Sequence, residues 1–222
     1  MTEPRESTFE GAHVLRMFPS FVWKAEIRPQ IRAPLNDGIM RKVAEIRPAT
    51  VMLKPGESWQ SHHQLHFAGE FRGLADAVQA AAGAVLDHLR IGSQELLITG
   101  CWANVSAPGA RHGTHSHPNN FLSGTYYVQV HDGADTLNFH DPRPQCGLIR
   151  PPVEELTADN ADQIVVKVEE GTLLLFPAWL QHSVSPNRSQ DLRVSISFNL
   201  MFASYAETMA APLWEGGHRR SA

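Results

Sequence analysis

The sequence predicts a mainly β fold with a helical buttress, a jelly roll, and three observations carry that expectation. From Glu95 onward, strand-like runs follow one another with Gly, Pro, Asn and Asp clusters between them. Ahead of them lies one clearly amphipathic helical stretch. Apolar residues make up 42% of the chain, enough for a proper core. Many short strands behind a helical front favour a sandwich or barrel supported on one side.

In chain order, HVLRMFP and FVWKAEI read as two short strands broken at Pro19 and Ser20. Asn36 or Asp37 is placed to cap a short helix with Ile39, Met40, Val43 and Ile46 inward, stopped by Pro48. Residues 49–68 read as loop, with Pro55-Gly56 as a turn. The clearest helix runs from about Glu70 to Leu89. Phe71, Leu74, Ala75, Val78, Ala82, Val85, Leu86 and Leu89 recur at three- and four-residue steps, and Gly92 lies beyond its end. The strand runs are LLITGCWANV, FLSGTYYVQV, DTLNFH, QIVVKVE, TLLLFPAW and LRVSISFNLM. Gly124, Gly133 and Gly171 read as turn markers, and the tail GGHRRSA as disordered. One domain is expected over 1–222, with supporting strands and helices in 1–94 and a jelly-roll core carrying the site in 95–203.

Bulk properties exclude several classes. A formal charge of −4 invites neither nucleic acid nor an anionic membrane. No run reaches transmembrane length, and MTEPRESTFE lacks the basic and apolar regions of a signal peptide. Cys101 and Cys146 stand far apart and outside any CxxC, which reads as free thiols in a reducing, cytoplasmic setting.

The chemistry concentrates between Trp102 and Tyr127. His115 and His117 are one residue apart, so on a strand both would share a face and could converge on one ion. His182 follows the apolar run TLLLFPAWLQ, which could carry a third imidazole to the same ion. Three ligands on one face leave the opposite positions open, as a catalytic metal needs. Arg193 opens a strand whose alternation puts Arg193, Ser195, Ser197 and Asn199 on one face. Turned into an apolar barrel, that guanidinium needs a partner, and an acidic co-substrate gripped by both its N–H pairs would supply one. A solvated polar face, or an internal Asp or Glu paired with Arg193, is the alternative.

The order HxH, a YY-containing strand, GADTLNFHDP, GTLLLFPAWLQH and then Arg193, eleven residues after His182, resembles the iron(II)/2-oxoglutarate-dependent oxygenases. It is most similar to their prolyl-hydroxylase-like branch and to a group of short bacterial oxygenases of unassigned substrate, over roughly residues 98–200; FPSFVW also resembles the opening of that bacterial group. The resemblance implies a double-stranded β-helix, the cupin-like form of jelly roll, with iron(II) as metal and 2-oxoglutarate as co-substrate. It implies that His115 and His182 are iron ligands. It implies that Arg193 with Ser195 holds the distal carboxylate of 2-oxoglutarate, that Tyr127 donates its hydroxyl to the same group, and that Asn104 lines the co-substrate or substrate wall. Dioxygen and a small-molecule or peptide substrate are the implied partners, and hydroxylation the implied reaction.

One departure stands out. The family pattern is His-x-Asp or His-x-Glu, and His117 occupies the carboxylate position. His117 could serve as the third ligand, Asp141 in FHDPR could swing in as the carboxylate, or the metal could be held without turnover. The functional alternatives follow: a metal-binding jelly roll acting as sensor or assembly component, or a three-His dioxygenase that does not use 2-oxoglutarate. An exposed sheet edge is available to pair two subunits as a homodimer.

Other histidines read differently. His62, His63 and His66 in SHHQLH are expected to form a solvated cluster. His112 is placed in a flexible GARHG loop beside the ligands, where it supports them or faces the substrate, and His131 and His140 at exposed strand ends. Arg143 is read as a turn or solvated arginine, or as one that meets an anionic substrate, and Trp179 as a core or rim aromatic. No phosphate loop of the type GxxxxGK[ST] and no GxSxG nucleophile motif occurs in the chain.

Overall fold

A computed structural model describes residues 8–92, 94–143, 149 and 151–206. Cys146 and the GGHRRSA tail lie outside the described residues. Among the described residues, ten strands form two antiparallel sheets. The major sheet runs β1 (Trp23–Glu26), β8 (Thr172–Pro177), β5 (Leu122–Gln129), β10 (Arg193–Phe202), β3 (Leu96–Ser106) and β2 (Ser58–Gln60). The minor sheet runs β4 (His112–His115), β9 (His182–Val184), β6 (Thr136–His140) and β7 (Gln163–Lys167). This is the jelly-roll architecture expected.

The period of two along the strands sorts each run between two cores. In β8, Leu173 and Leu175 join the cluster under the helices, while Leu174 and Phe176 join a smaller cluster with Leu137 and Phe139 of the minor sheet. The adjacent tyrosines divide likewise, Tyr126 to the helical side and Tyr127 to the space between sheets. β10 follows the same rule. Val194, Ile196, Phe198 and Leu200 pack under the helices, and Arg193, Ser195, Ser197 and Asn199 line the inter-sheet cavity.

Two helices cover the outer face of the major sheet. α2 (Arg72–His88) buries Leu74, Val78, Ala82, Val85 and Leu86 of the predicted stripe and Ala81 beside them, with Phe71 buried in the turn just before it; Ala75 is only half-buried, and Leu89 lies past the helix end and is exposed. Each fully buried Leu or Val contributes about 1.5–3 kcal/mol. α1 (Pro29–Ile46) is longer than expected, starting at Pro29 and accommodating Pro34. Asn36 therefore lies inside the helix and not at its cap. Its side chain instead donates to the Val128 carbonyl (2.9 Å) and accepts from the Tyr126 hydroxyl (2.6 Å), tying α1 to β5.

Other expectations need correction. HVLRMFP forms no strand and is exposed throughout; only Trp23–Glu26 of the second run pairs, along β8. The 49–68 segment contains β2 and a 3-10 turn at Leu65–Phe67, held to β3 because the Cys101 N–H donates to the His63 carbonyl (2.8 Å). Gly133 and Gly171 do adopt left-handed turn conformations (φ 84° and 88°). Gly124 sits mid-strand in β5. A Cβ there would strike the Leu174 carbonyl and the Phe198 ring, so close packing demands glycine at that point. Among the described residues no helix is long and apolar enough to cross a membrane.

Candidate metal centre

A cavity of about 790 Å³ opens between the two sheets. Inward-facing positions of β10 and β3 form one wall, and the short strands β4 and β9 lie across it. Arg193 pairs in register with Ser106, and Ser195 with both Asn104 and Tyr127, which sets the polar end of the wall.

The three histidines singled out by the sequence meet here. One ring nitrogen from each of His115, His117 and His182 lies within 4.8 Å of the other two. Strand pairing explains part of this, since His115 of β4 sits directly opposite His182 of β9. The expected reason for His117 does not hold, because β4 ends at His115. His117 is instead placed by its backbone N–H, which donates to the Ala178 carbonyl (2.8 Å) in the turn between β8 and β9. Its Nε2 then faces Nε2 of His182 at 3.3 Å.

These residues fit a divalent cation by their own chemistry. The Nδ1–H of His115 donates to the Gly113 carbonyl (2.8 Å), and that of His182 to the Leu180 carbonyl (2.9 Å). A carbonyl only accepts, so both rings carry a proton on Nδ1, which leaves Nε2 as the nitrogen that a neutral ring can offer a metal, as metal-binding histidines commonly do. Burial, followed by the neighbouring His182 and His115, pushes His117 down to about 3. Burial is also the main reason that His182 falls to about 4, against an opposing push from the Leu180 carbonyl. Both imidazoles are neutral at physiological pH, the form that binds metal.

Asp141 is held elsewhere. Its carboxylate accepts from Nε and Nη2 of Arg143 at 3.0 and 2.8 Å, and among the described residues it belongs to no group of three close metal-ligand side chains. The geometry thus gathers His117, and not Asp141, with the other two histidines. The same fork accounts for Arg143.

Beyond the histidines, Arg193 is 3% exposed and its Nε has no hydrogen-bond partner. A buried guanidinium with an unused donor costs stability unless a ligand satisfies it. Burial lowers its pKa, with Tyr127 pulling the other way. Tyr127 is buried beside it, and its phenol is pushed up to about 12, so it stays a neutral hydroxyl able to donate. Ser195 lines the same end of the cavity. Neither alternative reading of Arg193 fits, since Arg193 and Ser195 are buried and no salt bridge from Arg193 to an acid is seen among the described residues. Asn104 also lines the wall. Its amide is already engaged, accepting from Gln60 Nε2 (3.0 Å) and donating to Ser197 Oγ (3.0 Å).

Several histidines depart from expectation. His112 belongs to β4, opposite Val184, and lines the cavity; burial, then Arg193 and His115, lowers its pKa. His63 also lines the cavity and stacks on Trp102, with centroids 4.6 Å apart. His66 is half-buried with a buried Nδ1 that has no partner. His62 is exposed as expected, but His63 lines the cavity wall and His66 is half-buried, so the three do not form one solvated cluster. His63 lies in the polar stretch SHHQ, and no local period links it to Trp102. His131 and His140 are half-buried as well, His140 bonding Ser183 at 2.9 Å. Trp179 is 56% exposed and is therefore not a core residue.

With the geometry in view, similarity to known proteins becomes informative. Residues 100–199 match the family described as "Putative 2OG-Fe(II) oxygenase". No curated protein matches the chain in sequence. The fold is similar to that of AviO1 from Streptomyces viridochromogenes Tue57, at 14% identity and TM-score 0.60, over 87% of this chain and 93% of that one. It is similar to a prolyl hydroxylase from Trichoplax adhaerens in complex with a hypoxia-inducible-factor peptide fragment, at 12% identity and TM-score 0.58, over 86% and 87%. It is also similar to HygX from Streptomyces hygroscopicus, solved with nickel, 2-oxoglutarate and hygromycin B bound, at 10% identity and TM-score 0.55, over 82% and 83%.

Proposed function

This chain is a 2-oxoglutarate/iron(II)-dependent oxygenase on the strength of the match over residues 100–199, and we propose that it hydroxylates a small molecule or a peptide side chain through a three-histidine iron site. His115, His117 and His182 hold the iron. Arg193 grips the distal carboxylate of 2-oxoglutarate, with Ser195 and Tyr127 donating to the same group and Asn104 bounding the pocket. The observation that carries this reading is the buried Arg193 with an unused Nε, in the same cavity as three convergent imidazoles.

When bound, the iron supplies dioxygen activation coupled to oxidative decarboxylation of 2-oxoglutarate to succinate. The protein's own residues do the rest. The two backbone-anchored rings of His115 and His182 stay oriented without reorganisation. Arg193 and Tyr127 would fix one end of the co-substrate and so hold it in a single orientation in the cavity shared with the three histidines. The apolar floor of Leu137 and Phe176 limits water at the reacting face. We take 1–222 to work as one unit, in the cytoplasm, with HygX's bound hygromycin B and the Trichoplax enzyme's bound peptide as precedents for the two substrate classes.

Calorimetry of 2-oxoglutarate binding to the zinc-loaded protein tests the co-substrate assignment. Arg193→Lys should weaken binding at least about tenfold, because a lysine cannot reproduce the two-pronged contact. An affinity unchanged by that substitution would sink the assignment and point to a three-His dioxygenase that takes another acid.

A further inference from the structure

The charge inventory of the cavity bears on its substrate, given the function proposed above. Among the described residues, the ionisable side chains lining it are Arg193, Tyr127, His63, His112, His115, His117 and His182, and no Asp or Glu is present. The remaining polar groups are neutral, and several already serve one another. The Thr99 hydroxyl donates to Asn120 Oδ1 (2.7 Å), and Ser123 donates to Asn199 Oδ1 (2.7 Å).

Three neutral imidazoles contribute no negative charge to a divalent ion. The ion and Arg193 together bring three positive charges, and the 2-oxoglutarate dianion offsets two. One positive charge is left in the cavity beside the buried Arg193 and His182, and an uncompensated charge is costly, and its field stronger, where it is removed from bulk water. The cavity also has room to spare. β10 contributes Arg193 at one end and Met201 at the other, eight residues apart, which is roughly 26 Å of strand. The outer part is walled by His63, stacked on Trp102, whose ring lies 6.0 Å from that of His117.

We propose that the substrate is an anion, a small molecule whose acid group enters the outer half of the cavity and supplies the negative charge the protein withholds. His63, stacked on Trp102, forms part of the cavity wall. A cationic substrate meets no counter-charge and is selected against.

A matched series tests this in the full-length, zinc-loaded protein with 2-oxoglutarate held saturating. Phenylacetate, phenylacetamide and 2-phenylethylamine share a skeleton and differ in charge, and ligand-observed NMR gives a Kd for each. The acid should bind at least about tenfold tighter than the amide, with the amine weakest. His117→Asp, which adds a carboxylate at the ion, should bring acid and amide to within about threefold. Ser197→Asp places a carboxylate on the cavity wall away from the ion and should do the same if the first variant fails to hold metal. The inference is overturned if amide or amine matches the acid, if the acid shows no saturable binding, or if the acid's advantage survives in the variant that binds metal. Binding of 2-oxoglutarate in the same samples, compared with Arg193→Lys, reports separately on the proposed function. A protein that binds 2-oxoglutarate through Arg193 but prefers the amide loses only the anion inference.

Discussion

Nε2 of His117 faces Nε2 of His182 across 3.3 Å. Two ligands each about 2.1 Å from one ion, at angles between square and tetrahedral, would sit about 3.0–3.4 Å apart. The pair therefore already stands at the spacing a shared metal requires. The Nδ1–H of His182 is committed to the Leu180 carbonyl, so its Nε2 has no proton to offer and can only accept.

Removing either ring should follow from that spacing. His117→Ala and His182→Ala should each lower zinc or iron affinity at least about 100-fold, more than the loss typical of a merely supporting partner. Competition against a chromogenic chelator measures it. A full-affinity site in His117→Ala would mean that only two histidines and solvent hold the ion.

Stability of the metal-free protein should depend on pH in a definite direction. His117 and His182 have folded-state pKa values of about 3 and about 4, below the ordinary 6.5. Between those values the unfolded chain binds more protons than the folded one, so stability falls as pH falls from about 6.5 toward 4 and is fully retained above that window. Each histidine contributes a slope of up to about 1.4 kcal/mol per pH unit. Denaturant melts from pH 7 to 4.5 should show it, and replacing both rings with Gln should flatten the curve. An unaltered slope in the double variant would assign the titration to other groups.

Gly124 offers a test of the fold itself. Its Cβ would meet the Leu174 carbonyl and the Phe198 ring, both fixed in neighbouring strands. Gly124→Ala should therefore destabilise by about 1–3 kcal/mol, the range for forced overpacking. A thermal melt suffices, and an unchanged Tm would show that β5 can shift to make room.

Much of this was readable in the chain because strand alternation survives wherever one face is polar and the other apolar. Arg193-Val194-Ser195-Ile196-Ser197-Phe198 declares its two faces, and α2 declares its buried stripe. The elements that aim the ligands were harder to read. β4 and β9 are four and three residues long, too short for any period to register. His117 lies beyond a strand end, and a backbone bond to Ala178 that no side-chain pattern encodes sets its place. His63 reaches the cavity because β2 and the following turn lie along β3, a long-range contact invisible in the SHHQLH density. The start of α1 at Pro29 was hidden for a similar reason. Its first turns are exposed and only Gly38, Ile39 and Val43 are buried, so the apolar period begins late.

Tyr127 and Arg193 supply the sharpest separation between fold and function. Tyr127 is 2% exposed, and Phe would fill the same space, so Tyr127→Phe should leave the melt within about 1 kcal/mol of wild type. The lost hydroxyl is a donor to a charged group if 2-oxoglutarate sits against Arg193, and such bonds contribute about 1.5–3 kcal/mol. Affinity for 2-oxoglutarate should then drop about 10- to 100-fold while zinc affinity stays put, since Tyr127 touches none of the three imidazoles in ring contact. Calorimetry with each ligand in turn separates the two quantities. Equal losses of metal and co-substrate would instead mean that the phenol holds the sheets apart, and unchanged binding of both would move the co-substrate's acid end away from Arg193.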